Sequence, residues 1–156
     1  MLRLLAPTLV LAALAAGCAP RLAPLYRDYA VPGATAGRRD TDSTLVRAAA
    51  AFTAAGWSPA DAPAGTLATA PRDGTDWGLY RMKLSLVAYP LGAGHVRVRF
   101  EPVRDLIGRD RTHVPYLPSG LRSRFTGDLD RAMQAQGLKL VASGGIRDRI
   151  ERKKAR

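Results

Sequence analysis

Thiols and imidazoles are scarce in this chain of 156 residues: one cysteine, Cys18, and two histidines, His95 and His113. A lone cysteine excludes an intramolecular disulfide framework and a multi-cysteine zinc site. Two histidines leave little for transition-metal chemistry. Acidic residues are also few, 13 against 24 Lys and Arg, which gives a formal net charge of +11. There is no Gly-x-Ser-x-Gly elbow, and Gly92-x-Gly94 reads as a turn because no helix opens after it. What the chain does have is 47% apolar residues, ordinary for a globular protein and too many for a wholly disordered one. Its length fits one domain, and no internal repeat is visible.

The apolar content is uneven. Arg3 precedes residues 4–17, a nearly unbroken apolar stretch whose only polar side chain is Thr8. A membrane-spanning helix needs about 20 apolar residues, so this stretch is short for a span and fits the apolar core of a secretory signal peptide. Pro7 and the lack of a polar face argue against an amphipathic first helix. The run ends Leu14-Ala15-Ala16-Gly17-Cys18, which resembles the lipobox of bacterial lipoproteins, although leucine there usually stands where Ala15 does. The resemblance implies cleavage before Cys18 and acylation of its thiol and new amino group. The only cofactor expected is therefore that covalent lipid. Several acyl chains hold a protein on a membrane almost permanently, because each buried methylene contributes about 0.8 kcal/mol. Ala19 stands where an aspartate often signals inner-membrane retention in this family. The resemblance thus implies the outer membrane, facing the periplasm.

Residues 18–39 contain Pro20, Pro24, Pro32, Gly33 and Gly37 without a sustained period, and predict a flexible tether. Tyr26 and Tyr29 interrupt it and could dock onto the domain. A domain is predicted over 40–143. Asp40, Thr41, Asp42 and Ser43 offer N-cap oxygens, and Leu45, Ala48 or Ala49, Phe52 and Ala55 form a helical stripe. Gly56-Trp57 is suited to a left-handed C-terminal stop. Strands are predicted at 65–70, at 77–89 and at 95–103. In the last two, Tyr80, Met82, Leu84, Leu86 and Ala88, then Val96, Val98 and Phe100, alternate with polar residues. Pairing Ala88 with Val96 satisfies both faces and sets Lys83 across from Glu101. Residues 104–118 predict a loop. Leu121, Phe125, Leu129, Ala132 and Met133 mark a second helix ended by Gly137, and a short edge strand is expected at 138–142. The expected fold is α+β: a two-layer sandwich with a three- to four-stranded antiparallel sheet and two helices on one face, in the order α-β-β-β-α. Residues 144–156 are a basic tail that reads as a solvated terminus, the alternative being a membrane-surface segment.

The order of these elements, with Gly56-Trp57 before Gly65-Thr66-Leu67 and a long hairpin before the closing helix, resembles the helix-grip modules of envelope lipoproteins over residues 41–137. No functional residue carries over from that likeness. For chemistry, Arg81, Lys83, Arg97 and Arg99 are expected on the outer face of the hairpin, with Arg104, Arg109 and Arg111 in the loop beyond. Together they form a candidate anion-binding patch; the plainer reading is an arginine-rich composition. His95 is expected on the solvated strand face. Asp105 and Asp110 pair locally with neighbouring arginines, and Asp128 and Asp130 are offset by two on a helix, too far round it for a carboxylate dyad.

Three functions follow, in order of preference. The first is a lipid-anchored, periplasm-facing envelope protein that is not an enzyme and binds another envelope protein as an accessory or assembly factor. The second is a cationic module that binds lipopolysaccharide, peptidoglycan or anionic lipid. The third is a hydrolase built on Ser119 and His113. Nucleic acid is not an expected partner in that compartment, and no catalytic residue or metal ligand is assigned.

Overall fold

The computed structural model describes residues 25–34, 38–76, 80–106, 112–114, 117 and 119–145. Its elements are β1 (Tyr26–Ala30), α1 (Arg38–Ala54), β2 (Pro59–Ala60), β3 (Leu67–Thr69), β4 (Arg72–Asp76), β5 (Tyr80–Gly92), β6 (His95–Leu106), β7 (Thr112–His113), α2 (Ser119–Ala135) and β8 (Lys139–Gly144). The eight strands form one sheet in the order β2-β3-β5-β6-β1-β8, with β4 beside β5 and β7 beside β6. Every pairing is antiparallel. The fold is α+β, and its sheet is twice the size that the sequence suggests.

The helices follow from their apolar stripes and their stops. On α1, Thr44, Ala48, Ala51 and Phe52 are buried; on α2, Phe125, Leu129 and Met133. These pack with Met82, Leu84, Leu86, Ala88, Val96, Val98 and Phe100 into one core on one side of the sheet. Gly56 ends α1 at φ 80°. The Trp57 N–H donates to Phe52 O and the Gly56 N–H to Thr53 O, at 2.9 and 3.0 Å, the paired bonds of a Schellman stop. Gly137 and Leu138 repeat them on Gln134 and Met133, and Trp57 and Leu138 are both buried.

The main correction concerns β1. Residues 26–30, expected within the tether, form a strand in the interior of the sheet between β6 and β8. Tyr29 is fully buried, and Asp28 is only 7% exposed. The order therefore starts with a strand, and β2, β4 and β7 are further additions. Pro71 does not end the pairing: β4 resumes along β5 directly after it, with Arg72 opposite Leu84. Arg104, expected in a loop, continues β6.

The hairpin has the expected faces but not the expected register. Leu86 lies opposite Phe100, Ala88 opposite Val98 and Pro90 opposite Val96, a slip of two residues from the predicted pairing. A two-residue slip preserves which face each side chain occupies, so the alternation alone could not decide it. The turn decides it. Only Ala93 and Gly94 lie between the strands, both at positive φ, 47° and 69°, as a tight type I′ turn requires. An irregularity between Pro90 and Gly92 absorbs the remainder. Gly94 is further constrained because a Cβ there would lie 2.3 Å from Ala34 Cβ.

Candidate functional site: the uncovered face of the sheet

Both helices lie on one side of the sheet, so its other face is the place to look for function. Strand alternation puts Arg81, Lys83, Ser85, Val87 and Tyr89 of β5 there, with Arg97, Arg99, Glu101, Val103 and Asp105 of β6 and Tyr26 and Asp28 of β1. Asp73 of β4 lies opposite Lys83. Most of these side chains are half-buried against one another.

The cations on this face are matched by carboxylates. Arg97 reaches Asp28 through two parallel bonds, Nε to Oδ1 at 2.7 Å and Nη2 to Oδ2 at 2.8 Å, the fork geometry that makes an arginine–carboxylate pair strong. Its guanidinium also lies 4.1 Å from the centre of the Tyr26 ring, within cation–π range. The hydrogen bond to Asp28 is the chief cause of an Arg97 pKa above the ordinary arginine value; burial opposes it, and the Asp28 charge and Tyr89 add to it. Arg99 pairs with Glu101 at 3.0 Å, and Lys83 with Asp105 at 3.2 Å. Arg81 lies directly across from Asp105. The predicted Lys83–Glu101 pair does not form, because the two-residue slip carries Glu101 opposite Ser85 and leaves Lys83 beside Asp105. Pro71, Lys83, Ser85, Glu101 and Val103 enclose a shallow depression on the same face.

The candidate patch is therefore divided. Arg81, Lys83, Arg97 and Arg99 do share the face, interleaved with Asp28, Asp73, Glu101 and Asp105, and Lys139 of β8, opposite Ala30, joins them at its margin. Arg104 is not with them: it pairs with Met82 in register and lies on the helix side. Cys18, Arg109 and Arg111 lie outside the described residues, as does Asp110. His95 holds Ala93 O at 2.8 Å through Nδ1, a local turn contact. His113 is exposed in β7, opposite Val103. The side chain of Ser119 lies outside the description, and Ser123 and Ser143 are exposed. Among the described residues no group of three or more His, Cys, Asp or Glu could hold a metal ion. No helix among them is long and apolar enough to cross a membrane.

A second polar cluster lies on the helix side. The Tyr29 hydroxyl donates to Asp130 Oδ1 at 2.7 Å, and Arg27 pairs with Asp130 Oδ2 at 3.0 Å. Burial first, then the hydrogen bond to Asp130 and its charge, raise the Tyr29 pKa well above 10.0, with Arg27 opposing. Asp130 therefore locks β1 to α2. It does not form a proton-transfer pair with Asp128, which takes Arg131 one turn along the helix. Asp28 and Asp130 were missed as partners in the sequence. The one available hint is that Asp28 is the sole acidic residue between Cys18 and Asp40, flanked by the tyrosines.

The chain matches no protein-family model, and no curated protein is significantly similar to it in sequence. Its function is therefore argued from these surfaces and from the residues that precede them.

The sheet edges differ. On one side the edge is shared by β4 and the two-residue β2, which contains Pro59, a short proline strand of the kind that discourages strand addition. On the other side β8 runs for six residues, with Leu140 and Val141 44% and 55% exposed. Among the described residues no strand pairs with its outer side.

Proposed function

We propose that this protein is a lipid-anchored envelope protein, held by Cys18 on the periplasmic side of the outer membrane, that acts without catalysis as an accessory or assembly factor for another envelope protein. The reading rests on a lipobox-like leader before a domain whose two described helices both lie on one side of the sheet. The observation that carries it is the mixed-charge, half-buried lattice on the other side, which presents Tyr26, Tyr89, Val87, Val103 and arginines held in place by carboxylates. Tyrosine and arginine are enriched at protein interfaces and among their energetic centres. A surface on which cations and carboxylates are interleaved suits a mixed-charge protein partner better than a polyanion. For that reason the cationic-module reading is not favoured for this face.

A photo-crosslinking residue at Val87 or Tyr89, compared with one at Arg131 on the exposed helix side, tests the proposal in cells. One dominant protein adduct from the sheet positions and none from Arg131 is the expected result. The adduct should weaken when Arg99 is replaced by Glu. Equal labelling from both sides, or adducts with lipopolysaccharide or peptidoglycan alone, would overturn it.

A further inference from the structure

The two edges of the sheet are unequally suited to adding a strand. In β8, Lys139 to Ser143 are all exposed and only Gly144 is buried. Among the described residues nothing pairs with the outward N–H and C=O groups of this strand. The opposite edge is protected: β2 has two residues, one of them Pro59, and β4 carries Asp73 and Asp76 and shifts register between Asp73 and Thr75. Short length, proline, charge and bulges are the devices that keep sheet edges apart. The one charge of β8 is Lys139, at its start.

The side chains of β8 say which strand fits it. Leu140 lies opposite Tyr29 and Ser143 opposite Arg27, on the helix side, whereas Lys139, Ala142 and Gly144 lie opposite Ala30, Asp28 and Tyr26, on the uncovered face. The register shift between Asp28 and Tyr29 leaves Val141 without an opposite number on β1. The two ends of β8 therefore mirror each other, with Lys139 and Gly144 on the uncovered face and Leu140 and Ser143 on the helix side. Directly opposed residues of antiparallel strands share a face, so a second β8 running antiparallel matches the first along its whole length. In that register each larger side chain meets a small one: Lys139 against Gly144, Leu140 against Ser143 and Val141 against Ala142.

We propose that this protein pairs with a second copy of itself through β8, about a two-fold axis between Val141 and Ala142. The two lysines then stand about 17 Å apart, five residues at about 3.4 Å each, beyond the Debye length of about 8 Å at physiological salt. Each arrives instead beside the other copy's Tyr26 ring, which covers Gly144: a Cβ there would lie 2.3 Å from Tyr26 Cε1. The contact occupies the unprotected edge of each copy, so association closes at two and does not grow into a fibre. One strand pair buries less than the roughly 1,200 Å² of a stable interface, so the dimer dissociates on dilution. Both uncovered faces lie on the same side of the joined sheet, and the pairing does not depend on the lipid anchor.

The test uses the full chain carrying Cys18→Ser, which removes the native thiol, in a mild detergent. Two differently tagged populations, one with Leu140→Cys and one with Ser143→Cys, are mixed and oxidised. Opposed Cα atoms in antiparallel strands are about 4.5–5.5 Å apart, within disulfide reach. The mixed disulfide should form at least about ten times faster than one between Leu140→Cys and Ala60→Cys on β2. Val141→Lys sets two like charges beside the axis and should weaken the pairing about ten-fold, with an unchanged circular dichroism spectrum. Without added cysteines, hydrogen exchange at Lys139–Gly144 should be slow in concentrated protein and fast in dilute protein. Equal disulfide yields with Ala60→Cys would overturn the proposal. Slow exchange that survives dilution would also overturn it, since the chain's own residues would then cover the edge, as would fast exchange at every concentration. A photo-crosslinking residue at Val141 that captures a different protein in cells, and no second copy, would overturn it as well.

Discussion

The position of β1 makes a quantitative prediction at Tyr29. Its ring is fully buried in the core, and its hydroxyl donates to Asp130, which Arg27 also holds. Truncating a large buried aromatic to Ala costs about 3–5 kcal/mol, so Tyr29→Ala should consume much of a domain stability of about 5–15 kcal/mol. Tyr29→Phe keeps the ring and removes one hydrogen bond to a charged acceptor, at about 1.5 kcal/mol; Arg27 remains to satisfy Asp130. Equilibrium urea denaturation of the mature chain carrying Cys18→Ser, followed by circular dichroism, measures both. A pH series adds an independent check. Because burial and Asp130 raise the Tyr29 pKa above its ordinary 10.0, its contribution is complete below pH about 10 and is lost as pH climbs toward the higher folded value. Tyr29→Phe should therefore lose less stability than wild type above pH about 10. If residues 26–30 were only a loosely docked tether, Tyr29→Ala would change stability by no more than about 0.5 kcal/mol. That result would refute the central placement of β1.

The remaining predictions concern the sheet face, the hairpin and the anchor. Arg97→Met strands the Asp28 carboxylate, whose side chain is 9% exposed, and should cost about 2 kcal/mol; adding Asp28→Leu should recover most of that loss, and additive losses in urea melts would contradict the paired geometry. A double-mutant cycle on Lys83 and Asp105 should give coupling of about 0.5 kcal/mol. The same cycle on Lys83 and Glu101 should give none, and the reverse outcome would restore the register with Ala88 opposite Val96. Cys18→Ala should move the protein from the membrane pellet to the soluble fraction, with retention in the pellet counting against the lipid anchor.

Local chemistry made part of this fold legible. Both helices were readable because stripe and stop agree: Phe52 with Gly56-Trp57, and Met133 with Gly137-Leu138. The inward faces of β5 and β6 were readable from strict alternation. The register was not, since pairings two residues apart satisfy the same alternation and the deciding turn uses Ala93, an uncommon residue at positive φ. β1 escaped because its four charged or aromatic side chains find partners far away in sequence: Tyr29 on Asp130, Arg27 on Asp130, Asp28 on Arg97, and Tyr26 under Arg97. Read alone, Tyr-Arg-Asp-Tyr-Ala between prolines looks like a solvated linker. The candidate site suffered from the same blindness. Four cations were visible on the hairpin, but the residue that holds Arg97 lies 69 positions away.

Inserting β1 between β6 and β8 has a consequence for how the chain reaches its final form. Its strand partners begin at His95 and Lys139, so the first strand of the domain to be synthesised has no described neighbour in the sheet until the hairpin exists, and is flanked on both sides only when the last strand arrives. Loop-closure entropy must be overcome before those distant contacts form, and pairing between distant segments slows folding. Tyr26–Ala30 should therefore gain hydrogen-exchange protection late, in step with Lys139–Gly144 and after the β5–β6 hairpin. A chain that must cross a membrane before it folds would keep its N-terminal strand unpaired throughout that passage.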